Sequence, residues 1–260
     1  MQRQRLDLLL TERGMVESRT QAQRLVMAGQ VRVQGQVVLK PDMRIAIDSE
    51  LVVEQGPPFV SRGGEKLEAA LQAFNLHPLT DQICVDVGAS TGGFTDCLLQ
   101  HGAAKVYAVD VGYGVLHWKL RNDRRVISME RTNARFIEDF PEPVQLVTVD
   151  ASFISLRILL PVIKKWFKGQ DNRIVALIKP QFEAGRQDAA RGEGVIRDPL
   201  LHRQILISVL DFALSQDLCV KGLIRSPLLG PKGNTEFLVY LISANQSQSD
   251  LESLVDALFI

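Results

Sequence analysis

The sequence predicts an α/β chain: a mostly parallel, seven-stranded sheet covered on both faces, preceded by a small α+β module. Three observations carry that prediction. From Glu65 onward, apolar strand-like runs alternate with helical patterns, the signature of a parallel sheet with helices on both sides. A glycine-rich stretch, DVGASTGGFTD at 86–96, joins the first of those runs to a helical pattern. The first 55 residues follow a separate pattern, too short to bury a large core.

In that first module, leucines at helical spacing predict a helix over Arg5 to Arg13, ending at Gly14. Ser18 is placed to cap a second helix, Arg19 to Ala28, which stops at Gly29. QVRVQGQVVLKP then alternates as two short strands around a tight turn at Gln34-Gly35. RIAIDSELVVE supplies two further strand-like pieces, giving a small antiparallel sheet. The segment GPPFVSRGG, 56–64, reads as a linker, stiffened by two prolines and ending in Gly63-Gly64. The expected division is therefore 1–55, a linker at 56–64, and a second domain at 65–260.

In the second domain the expected strands are 83–87, 105–110, 126–130, 145–150, 173–178, 219–225 and 236–242. Helical patterns lie around 92–101, 115–121, 134–140 and 153–167. Asp198-Pro199 opens another helix, and LESLVDALFI ends the chain as a packing helix. The last two strands are expected to pair antiparallel across SPLLGPKGN. Seven strands ending in an antiparallel pair is the Rossmann-like architecture of class I methyltransferases.

Lys+Arg and Asp+Glu balance at 30 each, so net charge names no partner. Charge is unevenly placed, however. Residues 1–44 hold eight cations against four acids, which suits a polyanion. Cys84, Cys97 and Cys219 form no C-x-x-C pair, and no histidine pairing is read beside them. Neither a disulfide framework nor a metal site is expected. No stretch reaches 18 uninterrupted apolar residues and the N-terminus is charged, so the expectation is a cytoplasmic protein without membrane contact.

Arg19 and Arg24 project from the second helix, and Arg32 and Lys40 follow on the sheet. With RLDLLL, SRTQAQRLVMAGQVRVQGQVV and KP, this layout resembles the S-four-type RNA-binding domain. That resemblance implies that Arg5, Arg19, Arg24, Arg32 and Lys40, with Arg62 in the linker, meet RNA phosphates and read shape.

The glycine turn is spaced Gly88-x-x-x-Gly92-Gly93. It lacks the G-x-G-x-x-G order of a dinucleotide site and the lysine of a P-loop. A nucleoside cofactor without a pyrophosphate fits better, held where open α/β sheets hold ligands, at the strands' carboxyl ends. Asp110, ending the second strand, is placed to accept ribose hydroxyls; Asn133, after the third, is placed to meet a base edge. Each also reads as a helix N-cap.

VSRGGEKL, DVGASTGGFTD, VDASFISL, IKPQFEAGR, GVIRDP and GNTEFL, in that order and spacing, resemble the TlyA family. That family, historically called haemolysin A, is related to FtsJ-type RNA 2'-O-methyltransferases, and with the N-terminal module the resemblance covers nearly the whole chain. It implies S-adenosylmethionine as methyl donor, no metal, and ribosomal RNA or ribosomal subunits as partner, with cytidine as the target. The implied cofactor-binding residues are Asp86, Gly88, Ser90, Thr91, Gly92, Gly93, Phe94, Asp110 and Asn133. FtsJ-type enzymes use a Lys-Asp-Lys-Glu tetrad, carried here by Lys66, Asp150, Lys179 and Glu236. Lys179 is the candidate base or hydroxyl-activating group. Arg186, Arg191 and Arg197, in the loop that follows it, are placed to clamp RNA.

Three rivals remain at this level. A non-catalytic RNA-binding accessory protein would show a damaged turn or tetrad. A pseudouridine synthase would place an R-L-D motif in its catalytic domain, whereas Arg5-Leu6-Asp7 lies in the small module. The pore suggested by the historical name would need amphipathic strands of about nine to eleven residues.

Overall fold

The computed structural model describes residues 2–54, 56–169, 172–184, 194–243 and 250–259. The chain divides into two compact units, Met1–Pro58 and Phe59–Ile260.

In the first unit, β1 (Arg3–Arg5) leads into α1 (Leu6–Glu12), and α2 (Arg19–Met27) follows with Ser18 as N-cap, its hydroxyl accepting from the Gln21 N–H. The four strands β2 (Val31–Val33), β3 (Gln36–Val37), β4 (Arg44–Ala46) and β5 (Leu51–Val53) complete it. The expected single sheet is in fact two. One has three strands in the order β3-β2-β5; the other pairs β4 with β1, a strand not expected from the sequence, which ends at Arg5, where the expected helix began. Gln34 and Gly35 both have positive φ, 50° and 79°, as a tight hairpin turn requires. Leu6, Leu10, Ala22, Val26 and Val31 are fully buried at the centre of a core made within this unit.

The second unit opens with α3 (Gly63–Ala73), so Gly63 and Gly64 begin a helix within the segment expected as linker. Then come β6 (Ile83–Val87), α4 (Gly93–Gln100), β7 (Lys105–Val109), α5 (Trp118–Arg121), β8 (Val126–Met129) and β9 (Leu146–Val149). The chain continues through α6 (Leu156–Trp166), β10 (Arg173–Ile178), α7 (Pro180–Glu183), α8 (Pro199–Ser215), β11 (Leu218–Arg225), β12 (Phe237–Ser243) and α9 (Leu251–Asp256). Two expected helices shrink: 115–121 to the single turn of α5, and 134–140 to a 3-10 turn at Ala134–Phe136. Each begins at a side-chain cap, His117 accepting from the Lys119 N–H and Asn133 from the Arg135 N–H.

The sheet order is β11-β12-β10-β9-β6-β7-β8. Strands β6 to β10 run parallel, and β12 is antiparallel to both β10 and β11. Alternation along each strand fills two cores. Ile174, Ala176 and Ile178 of β10 face α6 and α8; Val175 and Leu177 face α3 and α4. From β6 the chain moves outward to β8, then returns to β9 on the other side. The carboxyl ends of β6 and β9 therefore flank the topological switch point, where such sheets bind ligands.

Candidate active site

Two backbone approaches build this corner. Gly88, directly after β6, has φ +84°, and a Cβ there would lie 2.8 Å from the carbonyl oxygen of Asp150. Only glycine lets β6 and β9 meet so closely at their ends. Gly93 opens α4, and a Cβ there would lie 2.3 Å from Ser61 Oγ and 2.7 Å from the backbone nitrogen of Gly64. The glycine turn is thus pressed against the start of α3, which carries Lys66.

Two cavities share this turn. The larger, about 850 Å³, is lined by Gly88, Ser90, Asp110, Asn133 and Asp150, with apolar walls from Val109, Ile154 and Ile158. The smaller, about 240 Å³, is lined by Ser61, Arg62, Lys66, Thr91, Gly93, Phe94 and Asp150 among others.

Asp110 lines the larger cavity with both oxygens already engaged: Ser90 N–H donates at 2.7 Å and Gly112 N–H at 2.6 Å. It fixes the turn as well as facing the cavity. Asn133 caps the 3-10 turn, accepting from the Arg135 N–H at 3.1 Å, while lining the same cavity. Asp86 requires a correction. It lines neither cavity but lies fully buried beneath the turn, accepting from Thr95 Oγ1 at 2.7 Å and Thr148 Oγ1 at 3.2 Å. Burial pushes its carboxyl up to about 7, reinforced by the charge of Asp150 and opposed by those two hydroxyls. Gly92 also lines neither cavity; it is the left-handed N-cap of α4.

The four tetrad candidates form two ion pairs. Lys179, N-cap of α7, places Nζ 2.7 Å from Asp150 Oδ1, 3.0 Å from Ser152 Oγ and 3.4 Å from the Asp150 carbonyl oxygen. Those are three acceptors for the three donors of an ammonium. Lys66 Nζ lies 2.5 Å from Glu236 Oε2. Lys66, Lys179 and Glu236 are all buried, and Asp150 is partly exposed. Among the described residues, Glu236 Oε1 accepts no hydrogen bond although it is buried. Lys66 and Asp150 line the smaller cavity together, so one member of each pair faces it.

The sequence reading missed several neighbours. Ser152 holds Lys179, and Ser61 lines the smaller cavity. Phe153, 90% exposed with φ +64°, sits 5.0 Å from the ring of Phe182, and both line the larger cavity. Glu183 accepts from Ser155 Oγ at 2.6 Å and the Leu156 N–H at 2.7 Å, tying α7 to the start of α6. An exposed aromatic with positive φ is the one signal that no pattern of apolar spacing carries.

The cations of the first unit divide. Arg24 and Lys40 are exposed. Arg5 and Arg19 turn toward the buried carboxylate of Asp7, at 3.0 and 2.9 Å, and Arg32 pairs with Glu54. Arg5 holds the Asp7 carboxyl far below the usual carboxylate range, against the opposing effect of burial, with Gln23 and Arg19 adding to it. Asp7 therefore organises the basic face, a structural use of the R-L-D triplet. Arg62, exposed, lines the smaller cavity of the second unit. Arg197 is exposed, and Arg186 and Arg191 lie outside the described residues.

A seven-stranded sheet of this order, with a glycine turn and paired Lys and acidic side chains at its switch point, defines a class I methyltransferase. The chain belongs to the FtsJ-like methyltransferase family, whose model matches residues 59–242, and an S4 domain matches residues 4–51. Its relatives include the TlyA protein of Mycobacterium tuberculosis, named a 16S/23S rRNA (cytidine-2'-O)-methyltransferase. That protein is 42% identical, over 98% of this chain and 96% of its own length. YqxC of Bacillus subtilis is 46% identical, over 96% and 89%. A solved Streptococcus thermophilus structure, named for haemolysin, matches with TM-score 0.73 and 44% identity, covering 99% of this chain and 96% of that one.

Proposed function

We propose that this protein methylates the 2'-oxygen of a cytidine ribose in ribosomal RNA, using S-adenosylmethionine. The observation that carries the reading is the pairing of Lys66 with Glu236 and Lys179 with Asp150 around a cavity shared with the glycine turn. The names of the TlyA relatives supply the substrate class.

The larger cavity suits the donor: its volume is that of a small-molecule site, and apolar Val109, Ile154 and Ile158 line it together with polar side chains that include Asp110 and Asn133. When bound, S-adenosylmethionine supplies an activated methyl on a sulfonium, so the protein's task is to position and activate the acceptor. Asp110 would accept from the ribose hydroxyls on lone pairs left by its two backbone donors. Lys179 would meet the acceptor hydroxyl, with Asp150 and Ser152 holding its Nζ in place. Lys66, held by Glu236, would face the substrate from the smaller cavity. Phe153 offers an open ring face to an unstacked base. Residues 1–55 would grip the RNA backbone, 56–64 would join the two parts, and 65–260 would carry the chemistry, in the cytoplasm where ribosomes are met.

Replacing only the target nucleotide by its 2'-deoxy form should abolish methyl transfer while barely changing RNA affinity, because phosphates dominate such interfaces. Continued methylation of the deoxy substrate would move the chemistry to a base atom. Lys179→Ala should keep cofactor and RNA affinity but lower the single-turnover rate at least about 100-fold. Lys179→Arg separates the two roles open to that side chain: a retained rate assigns charge stabilisation, a lost one assigns proton transfer.

A further inference from the structure

We propose that Glu68, Cys97 and His101 bind a divalent metal ion of the zinc type, outside both cavities. Their ligand atoms all lie within 4.8 Å of one another. Cys97 and His101 stand one helical turn apart, at the end of α4, and Glu68 comes from α3, which packs on it. The sequence reading took the cysteines to lack a histidine partner. The Cys97-x-x-x-His101 spacing was present, but its third ligand arrives from another helix.

The geometry is close to what an ion needs. Tetrahedral zinc, with Zn–S about 2.3 Å and Zn–N and Zn–O about 2.0–2.2 Å, spaces its ligand atoms about 3.4–3.6 Å apart. Cys97 Sγ is already 3.6 Å from Glu68 Oε2. His101 Nε2 is 2.6 Å from the same oxygen, a hydrogen bond that must open by about 0.8 Å to admit the ion. His101 is the C-cap of α4 and is partly exposed, as is Glu68, so the ring has room to turn and the ion a way in. Cys97 beneath them is fully buried.

Surrounding groups support the assignment. Gln72 Nε2 donates to Glu68 Oε1 at 2.5 Å, orienting the carboxylate as outer partners of metal ligands do. The exposed ring of His77 lies 5.8 Å from that of His101. A thiolate with an imidazole selects zinc, cobalt or cadmium over magnesium and calcium. A bound ion would tie α3, which carries Lys66, to the helix that follows the glycine turn.

The test is a cobalt(II) titration of full-length protein first stripped with chelator. One equivalent should give a thiolate-to-cobalt charge-transfer band in the near ultraviolet, and zinc should remove it by displacement. Calorimetric zinc titration should show one site per chain. Cys97→Ala should abolish the band and Cys84→Ala should keep it. His101→Gln, a change at a partly exposed residue that leaves the core intact, should weaken binding by more than the 10–100-fold typical of outer-shell changes. Gln72→Ala should weaken it about tenfold. Absence of the band at one equivalent would overturn the proposal, leaving the trio a hydrogen-bonded cluster. So would a band unaffected by His101→Gln.

Discussion

Asp86 shows how a residue can matter to a site without touching a ligand. Its carboxyl is raised to about 7 by burial, against about 3.9 in an unfolded chain. Between those values the unfolded chain gives up the proton and the folded protein keeps it, so stability falls as pH rises from about 4 to about 7. Above that the slope vanishes and the cost stays. Asp86→Asn keeps one oxygen to accept from one of the Thr95 and Thr148 hydroxyls, presents its NH2 as donor to the other, and cannot ionise. Relative to the parent, it should gain about 2–3 kcal/mol of stability between pH 5 and pH 8, measured by urea unfolding. Parallel pH profiles would show that Asp86 titrates normally. The sequence pointed to Asp86 because it opens the glycine motif, but not to its burial, since Thr148 arrives from a strand 62 residues away. Lys66, Asp150, Lys179 and Glu236 were named together through the family resemblance, since each alone reads equally well as an ordinary charge beside a strand end or helix start. Their division into two ion pairs was not legible, because pairing depends on which strand ends lie side by side.

At the scale of elements, the glycine turn is a packing device as much as a ligand cradle. A methyl at Gly93 would meet Ser61 Oγ and the backbone nitrogen of Gly64, so the first turn of α3 would have to move. Gly93→Ala should therefore cost about 1–3 kcal/mol of stability, the usual range for overpacking. An unchanged urea midpoint would mean that the two helix starts are not in register as described. The parallel strands were legible because both their faces are buried, leaving mostly apolar runs such as Ile83–Val87, interrupted by Asp86, and Arg173–Ile178, apolar after its first residue. The short elements were not. β1 is three residues of alternating Arg and Gln, and only its pairing with β4 makes it a strand. The turn at Ala134–Phe136 owes its form to the Asn133 cap instead of to any apolar period.

For the whole molecule, the question is how labour divides between the two units. Each has its own buried core, so removal of residues 1–58 takes no side chain from the core around the sheet. Ser61, Arg62 and Lys66, the cavity-lining residues nearest that boundary, remain in the second unit. The truncated protein should therefore bind S-adenosylhomocysteine with nearly unchanged affinity in calorimetry. RNA affinity is another matter. Arg24 and Lys40 are exposed, and Arg19 keeps about half its side chain in solvent while pairing with Asp7. Each such cation that meets a phosphate releases counterions, steepening the dependence of log affinity on log salt by about 0.7–0.9. Loss of three contacts should flatten that slope by about 2–3, with the affinity falling most at low salt. Arg24→Ala alone should remove about one contact's share. Asp7→Asn should act indirectly, releasing Arg5 and Arg19 from their buried anchor and disordering the basic face without removing a cation. Equal slopes for the full-length and truncated proteins on ribosomal RNA would shift recognition to the second unit, where Arg62 and Arg197 would be the next residues to replace.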